Sequence, residues 1–378
     1  MSKPLRVGIL GGGQLGRMLL QVAANYPVET FVLEKGASAP AAKLCYHFTD
    51  GDIKDYDTVY SFGKSVDVLT IEIEHVNVEA LLALEKEGIK IYPTPSALQT
   101  IKDKGLQKEF YLSNSIPSPD YVLIQNKEEL KKHLSFLPAA LKLRSGGYDG
   151  KGVEIIRTEN DLPKAFDAPC VLEKLVDIEK EISVIVAKND AGQTAVYPPV
   201  EMVFDPRYNL VDSLLSPARL TDTQSSAAQK IALQVVEALG SSGIFAVEMF
   251  LDKTGDILVN ETAPRAHNSG HQSIEGNYTS QYDMQMRVLQ NLPLGNTAII
   301  LPSLMLNLIG EEGHSGSVFY SGLNETMQIE NVYVHLYGKT ETKPGRKMGH
   351  VTILGNDVPE LNTKAEMVKK NLKVISHS

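Results

Sequence analysis

The sequence predicts a protein of mixed α/β and α+β class with three domains: a Rossmann-like N-terminal domain, a central domain with a glycine-rich loop, and a small β-rich C-terminal domain. Three observations support this prediction. Apolar runs alternate with helical stretches over residues 1–100, hairpin turns appear within residues 101–290, and short strands with glycine turns fill residues 291–378. A chain of 378 residues is long enough for two or three domains of roughly 100–200 residues each.

The N-terminal domain begins with a glycine-rich turn, VGILGGGQLG, at residues 7–16. Gly11, Gly13 and Gly16 have the spacing at which a strand turns tightly into a helix and lets the backbone approach a phosphate. Glu34 ends the next apolar run, where a dehydrogenase would hold a ribose. Further strand-like runs (DVLTIEIE, IKIYPT) alternate with helical stretches such as VEALLALEKEG, which is typical of a parallel, doubly wound sheet. The glycine spacing alone is a weak signal for a dinucleotide.

The central and C-terminal domains follow from a change of pattern near residue 100. Two proline-marked turns surround a charged amphipathic helix in YPTPSALQTIKDKGLQKEFYLSNSIPSPDY, which indicates a boundary. Beyond it the strands shorten and hairpin turns occur in AKNDAGQT and LDKTGDI, so mixed α+β structure is predicted. After NLPLGN, the runs GSVFYSG, NVYVHLYGK and GHVTILG predict short strands joined by glycine turns.

Composition excludes several classes of function. Lys and Arg total 37 against 46 Asp and Glu, a net charge of -9, which argues against nucleic-acid binding because such surfaces are basic. No apolar run approaches the ~18 residues of a membrane span. Cys45 and Cys170 have no metal-ligand spacing and form no disulfide framework, as is usual in a reducing compartment. We therefore expect a soluble, cytoplasmic protein without a targeting segment.

A glycine-rich hairpin is predicted in ALKLRSGGYDGKGVEII, residues 140–156. Its backbone amides could close over phosphates, while Lys142 on the first strand could reach them as a point charge. Tyr148 and Asp149 stand near the apex. An ordinary mobile hairpin would have the same sequence features.

A second hairpin, GIFAVEMFLDKTGDILVNETAPR, carries two carboxylates. If its turn is centred between Thr254 and Gly255, then Glu248 lies directly opposite Glu261, and Asn260 adds one more oxygen. Hard oxygen ligands of this kind select Mg²⁺. The alternative is that both glutamates lie on a solvated face.

Several motifs resemble the ATP-grasp superfamily in order and spacing, and within it the family that carboxylates 5-aminoimidazole ribonucleotide in purine biosynthesis. The motifs that carry the resemblance are GILGGGQLGRML, GYDGKG, YPPVE, APRAHNSGH and YGKTETKPGRKMGH. The last two are the most specific, and the resemblance covers essentially the whole chain. It implies a preATP-grasp domain over 1–100, an ATP-grasp domain over 101–290 and a C-terminal domain over 291–378.

The resemblance implies residues that bind ATP and magnesium. The residues expected to contact the nucleotide are Lys104, Lys142, Gly147, Tyr148, Asp149, Gly150, Lys151, Gly152, Val153, Glu173, Lys174, Leu175, Val176, Glu181, Asn260 and Glu261. Glu173 to Val176 would hold adenine through their backbone, and Glu181 would accept the ribose hydroxyls. Glu248, Asn260 and Glu261 would hold magnesium against the phosphates.

The resemblance also implies a site for a second substrate. Arg265, His267, Asn268, Ser269 and His271 would hold bicarbonate and a reactive acyl phosphate. The residues expected to contact the ribonucleotide are Gln14, Leu15, Glu72, Glu74, His75, Lys339 and Arg346. The expected catalytic residues are Tyr148, Asp149, Arg265 and His271, with Asp149 as a candidate base. The glycine turn at residues 11–16 would thus line a ribonucleotide pocket and not a dinucleotide site.

The expected reaction consumes ATP, bicarbonate and 5-aminoimidazole ribonucleotide, and it passes through carboxyphosphate. The expected assembly is a homodimer. Phe204 departs from the family pattern, which often has a histidine soon after YPPVE. Two other functions stay open from sequence: a sister ATP-grasp ligase such as a formate-using glycinamide ribonucleotide transformylase, which HNSGH and GRKMGH disfavour, and a non-catalytic nucleotide sensor.

Overall fold

The computed structural model describes residues 3–147, 152–205 and 210–377 of the chain. It contains a parallel five-stranded sheet, an antiparallel four-stranded sheet, a nine-stranded sheet and a three-stranded sheet. The predicted combination of a Rossmann-like domain with α+β and β-rich parts is confirmed. Within the described residues, no helix is both long and apolar enough to cross a membrane.

The N-terminal domain is a doubly wound parallel sheet with strand order β3-β2-β1-β4-β5. Its elements are β1 (Leu5–Leu10), α1 (Gln14–Ala23), β2 (Val28–Glu34), β3 (His47–Asp50), α2 (Tyr56–Gly63), β4 (Val68–Ile71), α3 (Val78–Lys86), β5 (Lys90–Tyr92) and α4 (Pro95–Lys102). The central strand β1 pairs in parallel with both β2 and β4. The carboxyl ends of these strands therefore meet at one edge, where α/β proteins place their ligand sites.

A small antiparallel sheet with order β6-β9-β7-β8 follows. Its elements are α5 (Lys104–Ser113), β6 (Tyr121–Ile124), α6 (Lys127–Leu130), a 3-10 helix (Lys131–Phe136), β7 (Ala139–Leu143), β8 (Val153–Ile156), a second 3-10 helix (Glu159–Lys164) and β9 (Cys170–Lys174). The charged helix predicted near residue 100 is two helices, α4 and α5. Asp103 separates the two helices. Its backbone is extended, and its carboxylate caps α5 by accepting hydrogen bonds from the amides of Gly105 and Leu106.

The large sheet begins in the central domain. Its elements there are β10 (Ile178–Lys188), β11 (Thr194–Val196), β12 (Val200–Asp205), β13 (Leu210–Ser216), α7 (Asp222–Leu239), β14 (Gly243–Asp252), β15 (Ile257–Ala263), a 3-10 helix (Asn268–Gly270), α8 (Ser273–Gly276) and α9 (Gln281–Leu289). Helix α7 starts at a capping box of Thr221 with Gln224 and ends at Gly240, which has φ 62°, a left-handed conformation that favours glycine.

The C-terminal part continues the same sheet. Its elements are β16 (Ser303–Ile309), β17 (Gly316–Ser321), α10 (Leu323–Thr326), β18 (Val332–Leu336), β19 (Glu341–Thr342), β20 (Lys347–Leu354), α11 (Val358–Asn371) and β21 (Lys373–Ser376). Strand β16 pairs with β13 in the register Ser213↔Leu306 to Ser216↔Ser303. The full order is β15-β14-β10-β12-β13-β16-β20-β18, with β11 on β10, so one sheet crosses the domain boundary predicted from sequence.

Helix α11 is the main element that the sequence interpretation missed in the C-terminal part. Its start signals are present, since Asp357 accepts a hydrogen bond from the amide of Glu360 and a proline lies in the first turn. Only Leu361, Ala365 and Val368 of the helix are buried. This narrow apolar face gives a weak periodic signal among lysines and glutamates.

Candidate active site

A cavity of about 1090 Å³ lies where the N-terminal domain, the small sheet and the large sheet meet. Its wall contains many of the residues singled out from sequence. These are Gln14, Leu15, Glu72, Glu74, His75, Lys104, Gly147, Phe204, Glu248, Glu261, Arg265, His267, Asn268, His271, Lys339 and Arg346. Tyr148, Asp149, Gly150 and Lys151, at the apex of the predicted glycine loop, lie outside the described residues.

As predicted from sequence, Glu248 on β14 lies directly opposite Glu261 on β15, but the turn is centred on Thr254 and not between Thr254 and Gly255, since Leu251 pairs with Ile257. A bulge produces this pairing. Met249 pairs with Val259, so Asn260 is the extra residue that brings Glu261 into line with Glu248. Bulges commonly re-aim side chains next to active sites. The two carboxylates and the Asn260 amide therefore share one part of the sheet.

Two lysines hold this hairpin. The Lys104 ammonium forms an ion pair with Glu261, and Lys142 Nζ donates to Asn260 Oδ1 at 2.7 Å. The positive charge of Lys104 lowers the pKa of Glu261. Burial, together with the negative charge of Glu261, raises the pKa of Glu248. The structure thus brings together the phosphate-contacting lysines and the magnesium ligands expected from sequence.

Glu173, on β9, is buried between two lysines. Its carboxylate lies 2.6 Å from Lys142 Nζ and 3.7 Å from Lys108 Nζ. Lys108 is 2% exposed, also donates to the Pro119 carbonyl oxygen at 2.8 Å, and has a pKa that burial lowers to about 8. Sequence reasoning missed Lys108, because one lysine in a charged helix carries no signal of burial. Its presence makes Glu173 part of a buried charge cluster.

The other residues expected at the adenosine half of ATP lie nearby on β9 and β10. The amide of Lys174 donates to the Asp120 carbonyl, and the amide of Leu175 donates to the Pro138 carbonyl. Val176 follows in the connection to β10. Glu181 on β10 has its pKa raised by burial to about 7. Some backbone amides in the segment between the small and the large sheet are therefore already paired within the protein. Only the remaining backbone groups there could bind the base of a nucleotide.

An ion pair anchors the base of the glycine loop. Arg144, which follows β7, donates through Nε and Nη2 to the Asp103 carboxylate, each at 2.9 Å. The backbone amide of Lys104 donates to the Arg144 carbonyl at 2.9 Å. A Cβ atom on Gly105 would lie 2.6 Å from Arg144 Nε, so glycine leaves room for the guanidinium. This pairing holds the start of α5 to the end of β7.

The glycine turn after β1 is occupied by carboxylates of the protein itself. The amide of Gly12 donates to Glu34 Oε2 at 2.9 Å, and the amide of Leu15 donates to Glu72 Oε1 at 3.0 Å. A Cβ atom on Gly13 would lie 2.6 Å from Glu72 Oε1. Glu34 ends the strand where a dehydrogenase would hold a ribose, but here it accepts a hydrogen bond from the glycine turn. This contact disfavours a dinucleotide at the turn.

The segment RAHNSGH connects the acidic hairpin to the ribonucleotide side of the cavity. Arg265 pairs with Glu74 at 2.9 Å, and His267 Nε2 lies 3.2 Å from Glu248 Oε1. Ser269 is fully buried and hydrogen-bonds through its hydroxyl to Ser183 at 2.8 Å, so its hydroxyl serves the loop structure. Elsewhere in the cavity, Lys339 Nζ donates to Gln14 Oε1 at 2.7 Å.

Three histidine rings lie in contact between the central and C-terminal parts, with His335 stacked on His350 and His271 tilted against it. The ring of His350 on β20 lies with its centroid 4.8 Å from that of His271 and 4.5 Å from that of His335 on β18. His335 Nε2 contacts Glu275 Oε1 at 2.7 Å. Burial lowers the pKa values of His271 and His350 well below their ordinary range. No sequence pattern predicted this cluster, because its members come from three separate segments.

Comparison with family models divides the chain into three parts. Residues 5–102 match a ribonucleotide synthetase preATP-grasp domain, residues 109–282 an ATP-grasp domain, and residues 303–364 a phosphoribosylaminoimidazole carboxylase C-terminal domain. The N5-carboxyaminoimidazole ribonucleotide synthase of Synechococcus elongatus is 34% identical over 93% of this chain and 90% of its own. The chain spans 69% and 65% of the length of two matching phosphoribosylaminoimidazole carboxylases.

Solved structures agree over nearly the full length. The crystal structure of N5-carboxyaminoimidazole ribonucleotide synthetase from Thermotoga maritima is 43% identical, with a TM-score of 0.91 over 99% of this chain and 100% of that one. The synthase of Aspergillus clavatus, crystallised with ADP and 5-aminoimidazole ribonucleotide, is 33% identical, with a TM-score of 0.89 over 98% of this chain and 99% of its own.

Proposed function

The chain belongs to the family of N5-carboxyaminoimidazole ribonucleotide synthases, and on that premise we propose that it carboxylates 5-aminoimidazole ribonucleotide with ATP and bicarbonate. A bicarbonate oxygen attacks the γ-phosphorus of ATP, which gives carboxyphosphate and ADP. The exocyclic amine of the ribonucleotide then bonds to the carboxyl carbon, loses a proton, and phosphate leaves. The products are N5-carboxyaminoimidazole ribonucleotide, ADP and phosphate.

One observation carries this proposal: a single cavity contains the acidic hairpin with Lys104 on one side and the RAHNSGH segment on the other. His267 joins the two through its 3.2 Å contact with Glu248. A phosphoryl donor held at the hairpin would thus lie beside the cationic and polar groups that would hold bicarbonate. Positioning and electrostatic stabilisation are the main contributions of a protein to phosphoryl transfer.

Magnesium fits the hairpin chemically. Glu248, Glu261 and Asn260 supply hard oxygen donors, which Mg²⁺ prefers. The phosphates of ATP would complete the ligand set. When bound there, magnesium would neutralise the negative charge on the transferring phosphoryl group. Lys104 and Lys142 would then exchange their oxygen partners on the hairpin for phosphate oxygens.

The ribonucleotide would bind between the N-terminal domain and the C-terminal part. Lys339 and Arg346 supply cations for its phosphate, while Gln14, Glu74 and His75 line the same cavity. Arg is suited to phosphate because its guanidinium can donate two parallel hydrogen bonds. Leu15 would contribute apolar contact, since its amide already donates to Glu72.

Solvent exclusion and proton removal are assigned to the glycine loop. Carboxyphosphate is short-lived in water, so the loop has to cover it before it decomposes. Tyr148 and Asp149 remain our candidates for facing the substrate amine, with Asp149 as the base. We also propose that the protein works in the cytoplasm as a homodimer, in keeping with its acidic composition and family.

ADP release measured in four mixtures tests the function. The mixtures contain ATP and magnesium with or without 5-aminoimidazole ribonucleotide, in bicarbonate-containing or bicarbonate-depleted buffer. We expect fast ADP release only when both co-substrates are present. ADP release that is independent of both bicarbonate and the ribonucleotide would contradict the proposal. Stimulation of ADP release by formate and another amine would identify a sister ligase. Nucleotide binding without any release would identify a sensor.

A further inference from the structure

His271 is fully buried and lines the cavity, yet one of its ring nitrogens has no protein partner. Its Nε2 atom, together with Arg265 Nε and both polar side-chain atoms of Asn268, forms no hydrogen bond with the described residues. Buried polar groups are nearly always hydrogen-bonded, and an unpaired one costs free energy. Three such residues on one wall indicate a place built for a small polar ligand.

The protonation state of His271 follows from its neighbour Gln281, the first residue of α9. Gln281 Oε1 accepts from the backbone amide of His267 at 2.9 Å, and Gln281 Nε2 donates to the His267 carbonyl at 2.8 Å. A backbone amide can only donate and a carbonyl can only accept, so the orientation of the Gln281 amide is fixed.

The same Gln281 amide nitrogen lies 3.0 Å from His271 Nδ1. Since the nitrogen is a donor, His271 Nδ1 accepts, and the Tyr282 hydroxyl at 3.2 Å from Nδ1 can also donate to it. A neutral imidazole carries one proton, which must then lie on Nε2. His271 therefore presents an N–H group and has no free lone pair with which to take up a proton.

The surroundings of His271 keep the ring neutral. The titratable and charged groups that face it are His267 and Arg265 from its own segment, Tyr282 from α9, His335 and Tyr337 from β18 and the residue after it, and His350 and Lys347 from β20. Burial and these positive charges lower its pKa. His350 directs its own Nδ1 to the Tyr337 hydroxyl at 3.0 Å, so it does not compete for His271 Nδ1.

We propose that His271 acts as a neutral Nε2–H donor to a carboxyl oxygen of the bicarbonate-derived group, and that Gln281 is the positioning residue that sets this tautomer. The inference rests on the proposed function and adds a role to it: His271 stabilises negative charge, and the proton of the substrate amine goes to another group. Preorganised donors of this kind stabilise the charge that develops in acyl transfer.

The glycine of RAHNSGH supports the assignment. A Cβ atom on Gly270 would lie 2.4 Å from Gln281 Oε1, so only glycine admits the Gln281 amide between His267 and His271. The Gln281 side chain thus contacts both His267 and His271 of the segment.

Nitrogen-15 NMR of the histidine rings tests the tautomer in the wild-type enzyme without any turnover. We expect a neutral Nε2–H signal for His271 that does not change between about pH 6 and 8, the range in which an ordinary histidine titrates. Assignment comes from the spectrum of His271→Asn. A neutral Nδ1–H ring, or an imidazolium at pH 7, would overturn the proposal. This result is independent of whether the enzyme uses bicarbonate.

Kinetics then test the role of Gln281. Gln281→Glu replaces the donor with an acceptor and draws the His271 proton to Nδ1, so we expect kcat with bicarbonate and ribonucleotide to fall on the order of 10²-fold. The KM for ATP should change less than about twofold, because the nucleotide contacts are elsewhere. A kcat that survives the tautomer change would overturn the proposal.

Gln285→Met is the matched control, since Gln285 is also a buried glutamine of α9 but donates to Thr70 Oγ1 at 3.1 Å. Gln281→Met and Gln285→Met should lose comparable thermal stability, and only Gln281→Met should lose kcat. Equal losses of kcat in Gln281→Met and Gln285→Met would show that Gln281 contributes only through packing. If the wild-type enzyme shows no bicarbonate dependence, the proposed function fails while the NMR result still decides the tautomer.

Discussion

Lys104 and Lys142 each contact an oxygen of the acidic hairpin, so the cations expected to meet phosphates are already at the place where a metal would bind. The residues of the hairpin and those proposed for the second substrate should therefore have different roles in the reaction. A substitution in the hairpin should affect every reaction that uses ATP, whereas a substitution at the proposed ribonucleotide site should affect the second substrate. Two substitutions test this division.

Glu261→Gln keeps the size of the side chain but removes a charge from the proposed magnesium site. We expect all ADP release, basal and stimulated, to fall on the order of 10²-fold or more, because phosphoryl transfer loses electrostatic stabilisation. Steady-state ADP release measures this. Asp256→Asn, at the exposed turn of the same hairpin, is the control and should retain activity. Unchanged basal release in Glu261→Gln would contradict the assignment of the hairpin to magnesium.

Arg346→Ala should weaken binding of the ribonucleotide. We expect its apparent KM to rise roughly tenfold or more, in line with the loss of a charged hydrogen bond, while slow ATP cleavage without ribonucleotide stays largely intact. Lys343→Ala, an exposed position in the same loop, is the control. Loss of basal ATP cleavage in Arg346→Ala would place this arginine at the nucleotide instead.

Lys108 makes stability depend on pH in a direction unusual for a lysine. Its pKa is about 8 in the folded protein and roughly 10.4 in an unfolded chain. Between these values the unfolded chain binds more protons, so the Lys108 contribution to the free energy of unfolding rises with pH. The gain is on the order of 3 kcal/mol at most.

Denaturation of wild type and Lys108→Met at a series of pH values measures this contribution. The difference in unfolding free energy between wild type and Lys108→Met should increase between about pH 8 and 10.4, in favour of the wild type. Lys230→Met, on the exposed surface of α7, should show no such change. A constant difference for Lys108→Met would show that Lys108 keeps its proton throughout this range.

Part of the candidate site could be predicted from the sequence, and another part could not. Glu248 and Glu261 lie opposite each other as predicted, but the bulge at Asn260 that offsets the position of the turn could not be foreseen from the sequence. The roles of Glu34 and Glu72 as caps of the glycine turn could not be foreseen either, since each depends on packing between separate strands. Gln281 and Lys108 were missed for the same reason: burial of one polar side chain within a helix leaves no periodic pattern.

At the scale of elements, the Asp103–Arg144 pair connects α5 with β7 and thereby fixes the separation of Lys104 and Lys142, the two lysines proposed to contact phosphate. Arg144→Gln removes the paired hydrogen bonds of Arg144 with Asp103. We expect the KM for ATP to rise roughly tenfold, as for loss of a charge-assisted hydrogen bond, with little change in the KM for ribonucleotide. Steady-state kinetics with each substrate varied measure the two constants.

The control for Arg144→Gln is Lys131→Gln, which breaks an exposed i,i+3 ion pair in the same small sheet region and should leave both constants unchanged. Equal changes in both KM values for Arg144→Gln would show a general loss of structure instead of a local effect on nucleotide binding.

Helix α7 has a local start signal in its capping box of Thr221 with Gln224. The boundaries of helices are harder to predict where a single residue changes the direction of the chain. Asp103 divides the predicted helix near residue 100 because its side chain serves α5 and Arg144 together, and that partner is far away in sequence.

At the scale of the whole molecule, pairing of β13 with β16 makes the central and C-terminal parts one cooperative structure. We expect hydrogen exchange in β16 and β20 to be as slow as in β10 and β14, because opening either part breaks the same sheet. Exchange measured by mass spectrometry suits this chain, which has no tryptophan to report unfolding by fluorescence. Faster, separate exchange of β16 and β20 would show an independent C-terminal domain.

The shared sheet also limits how this protein could be recombined with its relatives. A chimera joined at residue 290 would have to reproduce the β13–β16 register from Ser213↔Leu306 to Ser216↔Ser303, and a slip of one residue would turn every side chain of β16 to the wrong face. A crossover placed before β13 removes this requirement but divides the β12–β13 and β10–β14 pairings between the two parents. Because both junctions divide paired strands between the parents, the central and C-terminal parts are best exchanged together as one unit.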